Sequence, residues 1–135
     1  MVLLTQSGLL QIKSNKYVDL TQAAHQLGFA CHFKIYVSQY VWERYIRWTY
    51  DDDQFFNVHQ LQEQRQEKIL KDALTLMSVC GQEQLEKELF FNRHIIVRKE
   101  QLTVAAQPEL ALFKINSACN ENNDDCLIID AVNIT

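Results

Sequence analysis

The chain predicts an α+β domain: an antiparallel β-sheet with two to three helices packed on one face. Three observations carry that expectation. "CHFKIYV" (Cys31–Val37), which alternates with period two, runs straight into "QYVWERYIRWT" (Gln39–Thr49), which follows helical spacing. A long stretch of helix formers with an apolar stripe comes next. From Glu88 onward the residues turn β-branched and aromatic, with one strong turn cluster. At 135 residues, 47% apolar and 22% charged, the chain reads as a single domain, residues 1–135, that can bury a core without staples. One proline and three glycines disfavour a turn-rich all-β fold.

Taken in order, "YVDL" (Tyr17–Leu20) is a short extended piece feeding the helix "LTQAAHQLG". Asp19 is its candidate N-cap and Gly28 its stop, with Ala23, Ala24 and Leu27 facing inward. In the strand that follows, Cys31, Phe33, Ile35 and Val37 point one way; His32, Lys34 and Tyr36 point the other. Ser38 can cap the next helix. There Val41, Trp42, Tyr45, Trp48 and Thr49 share a face, and Glu43 and Arg47 form an i,i+4 pair on the polar side. The rings of Cys31–Trp48 are therefore expected as core-facing residues of two adjacent elements. "TYDDDQFFN" should break the helix. A long helix then covers about Val58 to Cys80, with Ile69, Leu70, Ala73, Leu76, Met77 and Cys80 inward and Gly81 as its stop. Its first half, from Gln62 to Lys68, is polar and expected to be solvated. "LFFNRHIIVR" is a strand whose face Leu89, Phe91, Ile95 and Val97 is interrupted by Arg93. Glu109 to Val132 reads as two strands around the turn "NENNDD".

Composition narrows the function classes. A net charge of −4 argues against capture of phosphate backbones, so nucleic acid is not expected as a partner. The run is nowhere apolar over the roughly 20 residues a membrane helix needs, so no membrane role is expected. The N-terminal stretch has no basic region ahead of its apolar residues and does not read as a signal peptide. The four cysteines, Cys31, Cys80, Cys119 and Cys126, form no CxxC pair. Reduced thiols in a cytoplasmic setting are expected, with Cys119 and Cys126, which flank the hairpin loop, as the one pair worth testing as a disulfide or redox switch.

The run "VDLTQAAHQLGF", then a strand, then "VSQYVWERYI", followed further on by "KILKDALTLM", a strand and a terminal hairpin, resembles a small family of uncharacterised bacterial and phage proteins. They are found on plasmids and other mobile elements and known only as a domain of unknown function. The likeness is sharpest from Val18 to Ile46. It departs in lacking a proline near Cys31, in the glutamine-rich extension of the long helix, and in "NENNDD" where the family tends to show a proline–glycine turn. The resemblance implies an accessory, mobile-element role and no particular activity.

Candidate sites are few. Tyr36, Lys34, Arg44 and Arg47 could bind nucleic acid if they shared an exposed face, but the core also claims the neighbouring rings. Asp51, Asp52 and Asp53 could hold a hard cation, although consecutive residues rarely converge and a solvated helix terminus accounts for them; Glu121, Asp124 and Asp125 read the same way. For soft metals, His25, His32, His59, His94 and the cysteines offer no close pairs, so no metal site and no cofactor is assigned. No GxSxG elbow or phosphate loop is present, and no catalytic residue is assigned; Glu88, His94 and Asp130 are acid–base groups that no pattern singles out. Asn92, His94 and Arg98 would form a polar, ligand-facing row if the second sheet face is open. Gln62, Gln64 and Gln66 are the interface candidates on the long helix. The expectation is a small, soluble, non-catalytic interaction or accessory protein, acting through a sheet edge or the polar half of the long helix, with a protein partner or as a homodimer. The alternatives are a ligand-binding domain or enzyme with a pocket between sheet and helices, and a nucleic-acid accessory protein.

Overall fold

A computed structural model describes residues 3–4, 10–29, 33–80, 88–99 and 106–132. The strands are β1 (Leu3–Leu4), β2 (Leu10–Gln11), β3 (Tyr17–Asp19), β4 (Lys34–Ser38), β5 (Leu89–Ile95), β6 (Glu109–Cys119) and β7 (Asp125–Ala131). The helices are α1 (Thr21–Gln26), α2 (Gln39–Val41), α3 (Tyr50–Phe56) and α4 (Gln62–Cys80). The strands form one sheet in the order β1-β2-β6-β7-β4-β3, and β5 also pairs with β6. The α+β class is as the sequence predicts. The sheet is mixed where an antiparallel one was expected: β4 runs parallel to β7, and β2 parallel to β6. β7 lies between β6 and β4 and has no solvated face, so "CLII" (Cys126–Ile129) is buried throughout.

The main core lies between the sheet and the helices. Ile35, Val37, Phe113, Ile115, Leu127 and Ile129 from the sheet meet Ile69, Leu70, Ala73, Leu74 and Met77 of α4. Within the predicted stripe Leu76 is only half-buried, and Leu74 takes the inner place. The surroundings of Cys80, the stop at Gly81, and Cys31 and His32 lie outside the described residues. On the opposite face Tyr36, Ala118, Cys126 and Ile128 form a second cluster, covered by Ile12 and Tyr17 of the N-terminal segment. Tyr36 does point away from Ile35 and Val37, as alternation requires, yet it is buried too. Its cover is pinned by the Ile12 N–H on the Cys119 carbonyl (2.8 Å) and by the Ser14 amide on Glu121 (2.8 Å).

Local chemistry explains the element boundaries. Asp19 accepts from the Thr21 N–H (2.9 Å), one position ahead of the cap residue Leu20, and α1 ends with Gly28 at φ +91°. Ser38 caps α2 through the Val41 N–H (3.1 Å). The expected single helix from Gln39 to Thr49 does not form. α2 widens into a π-turn over Trp42–Ile46, closed by the Arg47 N–H on the Trp42 carbonyl (2.7 Å). Because the turn is one residue wider, Val41 and Ile46, five apart, share the buried side, while Trp42 and Tyr45 are only half-buried against the core.

The stretch expected to break the helix instead starts one. Thr49 and Asp52 form a reciprocal capping box for α3, which stops at Asn57 in the left-handed region (φ 53°). Thus Asp51, Asp52 and Asp53 occupy a helix's first turn, where its dipole favours carboxylates. α4 starts at Gln62, four residues later than expected. β5 ends at Ile95, short of the predicted Arg98: Ile96 leaves the sheet to pack in a third cluster with Trp48 and Phe56.

Candidate functional site

Chemistry-bearing side chains gather in two places. One is the seam where the π-turn, α3, the start of α4 and the segment after β5 meet. At its centre Arg65 is 3% exposed. Its guanidinium donates to the carbonyls of Ile46 (3.1 Å), Ile96 (2.8 Å) and Arg44 (3.3 Å) and to the Gln60 side chain, and lies 4.6 Å over the Trp48 ring. Desolvation pulls its pKa down to about 10, so it stays charged at neutral pH. Beside it Arg98 donates to both oxygens of Asp52 (3.0 Å each) and reaches Glu43 (3.3 Å), which also holds Arg47 (3.0 Å). Asp53 accepts from the Trp48 indole (2.7 Å) and the Gln60 N–H (2.9 Å) and contacts the His59 ring (2.8 Å). Those bonds, the indole's first, hold its carboxyl down at about 2.

The seam is a knot rather than a site. Arg65 ties two backbone segments, the π-turn at Arg44 and Ile46 and the stretch after β5 at Ile96, and gives the Ile46 and Ile96 carbonyls a donor in the interior. Asp52 and Asp53 face different partners, and among the described residues no group of three or more His, Cys, Asp or Glu could hold a metal ion.

The other place is the outer flank of β5. β6 pairs with β5 along all seven residues, from Leu89↔Ile115 to Ile95↔Glu109. Among the described residues no strand pairs with its other edge. Alternate backbone N–H and C=O groups therefore face outward, the arrangement that templates pairing with another chain. Beside this edge runs an open groove of about 670 Å³, lined by Lys71, Asp72, Thr75, Leu76 and Val79 of α4 and by Phe91, Asn92, Arg93 and His94 of β5. Arg93 spans it in a two-pronged pair with Asp72. Val79 is 80% exposed and Phe90 59% exposed, so the flank also offers apolar surface.

The predicted site residues are divided by this geometry. Asn92 and His94 are exposed and share the outer face of β5. Arg98 does not join them. It lies beyond the strand, its amide bonded to the Arg44 carbonyl (2.8 Å), and is drawn into the seam by Asp52 and Glu43. Gln62 is half-buried and accepts from the Trp48 N–H (3.2 Å). Gln64 is exposed, and Gln66, one turn after Gln62, is half-buried, so the three glutamines do not share a face. Cys119 and Cys126 are free and buried. The register Ala118↔Cys126 and Cys119↔Asp125 sets them on opposite faces of the sheet, and burial pushes the Cys126 thiol up to about 12.

Sequence reasoning missed Arg65 and the Arg93–Asp72 pair. The signal for Arg65 was present: it sits four residues before Ile69, where the apolar stripe of α4 extends one turn back. Among the described residues no helix is long and apolar enough to cross a membrane. No family model matches the chain, and no curated protein or solved structure is significantly similar to it.

Proposed function

We propose that this chain is a small non-catalytic protein-interaction module that docks an extended strand of a protein along the free edge of β5. One observation carries the reading: β5 is fully paired with β6 on one side and unpaired on the other among the described residues, beside an open groove with exposed apolar groups. Strand addition draws affinity from main-chain hydrogen bonds and selectivity from flanking side chains. Here Phe90, Asn92 and His94 line one flank, and Val79, Leu76 and Arg93 the other. The bonds made inside the seam support a non-catalytic role, because its charged groups are spent on tying the fold. A cytoplasmic setting, in which Cys119 and Cys126 remain thiols, and an accessory role of the kind the resemblance implies belong to the same proposal.

Affinity capture from lysate tests it. The wild-type chain should retain a partner that Val79→Glu/Phe90→Glu loses, since both residues are exposed and the fold does not depend on them. Gln64→Ala should retain it. Loss with Gln64→Ala and retention with the double variant would move docking to the polar flank of α4 and sink the proposal.

A further inference from the structure

We infer that the strand received by β5 is β5 of a second copy, paired antiparallel about a two-fold axis through Asn92. The inference rests on the reading of the β5 edge as a docking surface and identifies its occupant. The strand reads Leu-Phe-Phe-Asn-Arg-His-Ile: apolar and aromatic before Asn92, basic and apolar after it. Antiparallel pairing reverses the order, so the sequence complements itself. Leu89 meets the second copy's Ile95, Phe90 meets its His94, and Phe91 meets its Arg93. Asn92 meets Asn92, whose amides can donate and accept mutually.

Arg93 thus lies across from an aromatic ring, the arrangement that cation–π attraction favours, and His94 across from the Phe90 ring, an aromatic cross-strand pair. Neighbouring registers are worse. Centring on Arg93 sets two guanidiniums against each other; centring on Phe91 leaves His94 and Ile95 without partners. Asn92 is the centre that engages all seven residues. An axis perpendicular to the sheet keeps the helices of both copies on one side and continues the sheet from one chain into the next. The exposed Phe90 ring and the flank of α4 carrying Val79 then gain cover. Such an interface is isologous and closed, and it removes the open edge as a route to indefinite aggregation.

Sedimentation equilibrium of the full chain across a concentration series tests this. The mass should climb from 15.8 kDa toward twice that value. Asn92→Glu places two like charges on the axis at an exposed position, so it should hold the chain at monomer mass, with a melting curve unchanged in solution dilute enough for the wild type to be monomeric. Directly opposed residues of an antiparallel pair have Cα atoms about 4.5–5.5 Å apart, within disulfide reach. Asn92→Cys should therefore form a reductant-sensitive covalent dimer beyond any wild-type background, and Phe90→Cys, which faces His94, should not. A wild-type chain that stays monomeric at every concentration overturns the self-pairing. So does a dimer indifferent to Asn92→Glu. If the wild type is monomeric while Val79→Glu/Phe90→Glu still loses lysate capture, the edge serves a foreign strand: self-pairing fails and the docking surface stands.

Discussion

Arg65 and Arg93 each sit where α4 meets a neighbouring segment, and they differ in what surrounds them. Arg65 is enclosed, with its donors spent on three backbone carbonyls and a glutamine under the cover of Trp48. Arg93 is about one-third exposed and paired with Asp72, on a strand whose outer edge no other strand pairs among the described residues. Charge density does not separate the two regions. Satisfaction of the backbone does: around Arg65 the carbonyls are provided for within the chain, and along β5 half of the polar groups look outward. A surface open to a partner is found where hydrogen-bonding capacity is left over, not where charges are most crowded.

The largest effect that could break this contrast belongs to Arg65. Arg65→Ala would strand the Ile46 and Ile96 carbonyls, leave the Arg44 carbonyl with the Arg98 N–H, and open a void under Trp48, and should cost about 3–5 kcal/mol in urea denaturation. Arg93→Ala should cost about 1 kcal/mol or less, because a partly exposed pair is weakened by solvent. Comparable losses would mean that Arg93 also ties the fold. Next come the two indoles. Trp48→Ala should cost about 3–5 kcal/mol, the range for a buried ring, and Trp42→Ala clearly less, since its indole is half-exposed. Equal costs would mean that the π-turn does not shift the buried face onto Ile46.

What the sequence revealed follows the same line. The strand–helix seam, the Ser38 cap, the Gly28 stop and the C-terminal hairpin were legible because each depends on neighbours in sequence. The π-turn was not: its widening depends on what Val41 and Ile46 meet across the core, and helical spacing alone brought Trp42 and Tyr45 inward. The capping box of α3 was misread as a break, because three aspartates suggest a turn until Thr49 is paired with Asp52. In the candidate site, period two placed Asn92 and His94 on one face correctly, and it carried Arg98 along only by assuming that the strand continued. The open edge was invisible, since strand order is set by contacts between distant segments.

A third, smaller effect concerns acid. Hydrogen bonding depresses the folded-state pKa of Asp53 to about 2 from an ordinary 3.8, and that of Glu121, held by Ser14, is lowered too. A depressed carboxylate contributes stability that is fully present above the unfolded-state pKa and lost as pH falls through the folded one. The melting temperature should hold above about pH 5 and decline from about pH 4 toward pH 2. Asp53→Asn, which keeps an acceptor for the Trp48 indole but cannot titrate, should flatten that decline. An unchanged acid profile would show that the seam does not need the charge on Asp53.

The smallest expected effect bears most directly on the edge. Phe90→Thr keeps a strand-favouring residue at a position more than half exposed, so stability measured in dilute solution should change by about 0.5 kcal/mol or less. Self-association should nevertheless weaken, because the Thr hydroxyl and methyl cannot replace a ring set against the second copy's His94. A neutral stability effect together with weaker association is the signature of a residue that serves an encounter rather than the fold. A cost above about 2 kcal/mol in the monomer would mean that something within the chain already covers Phe90. The outer flank of β5 would then be as fully engaged as the carbonyls around Arg65, and the difference between the two arginines would disappear.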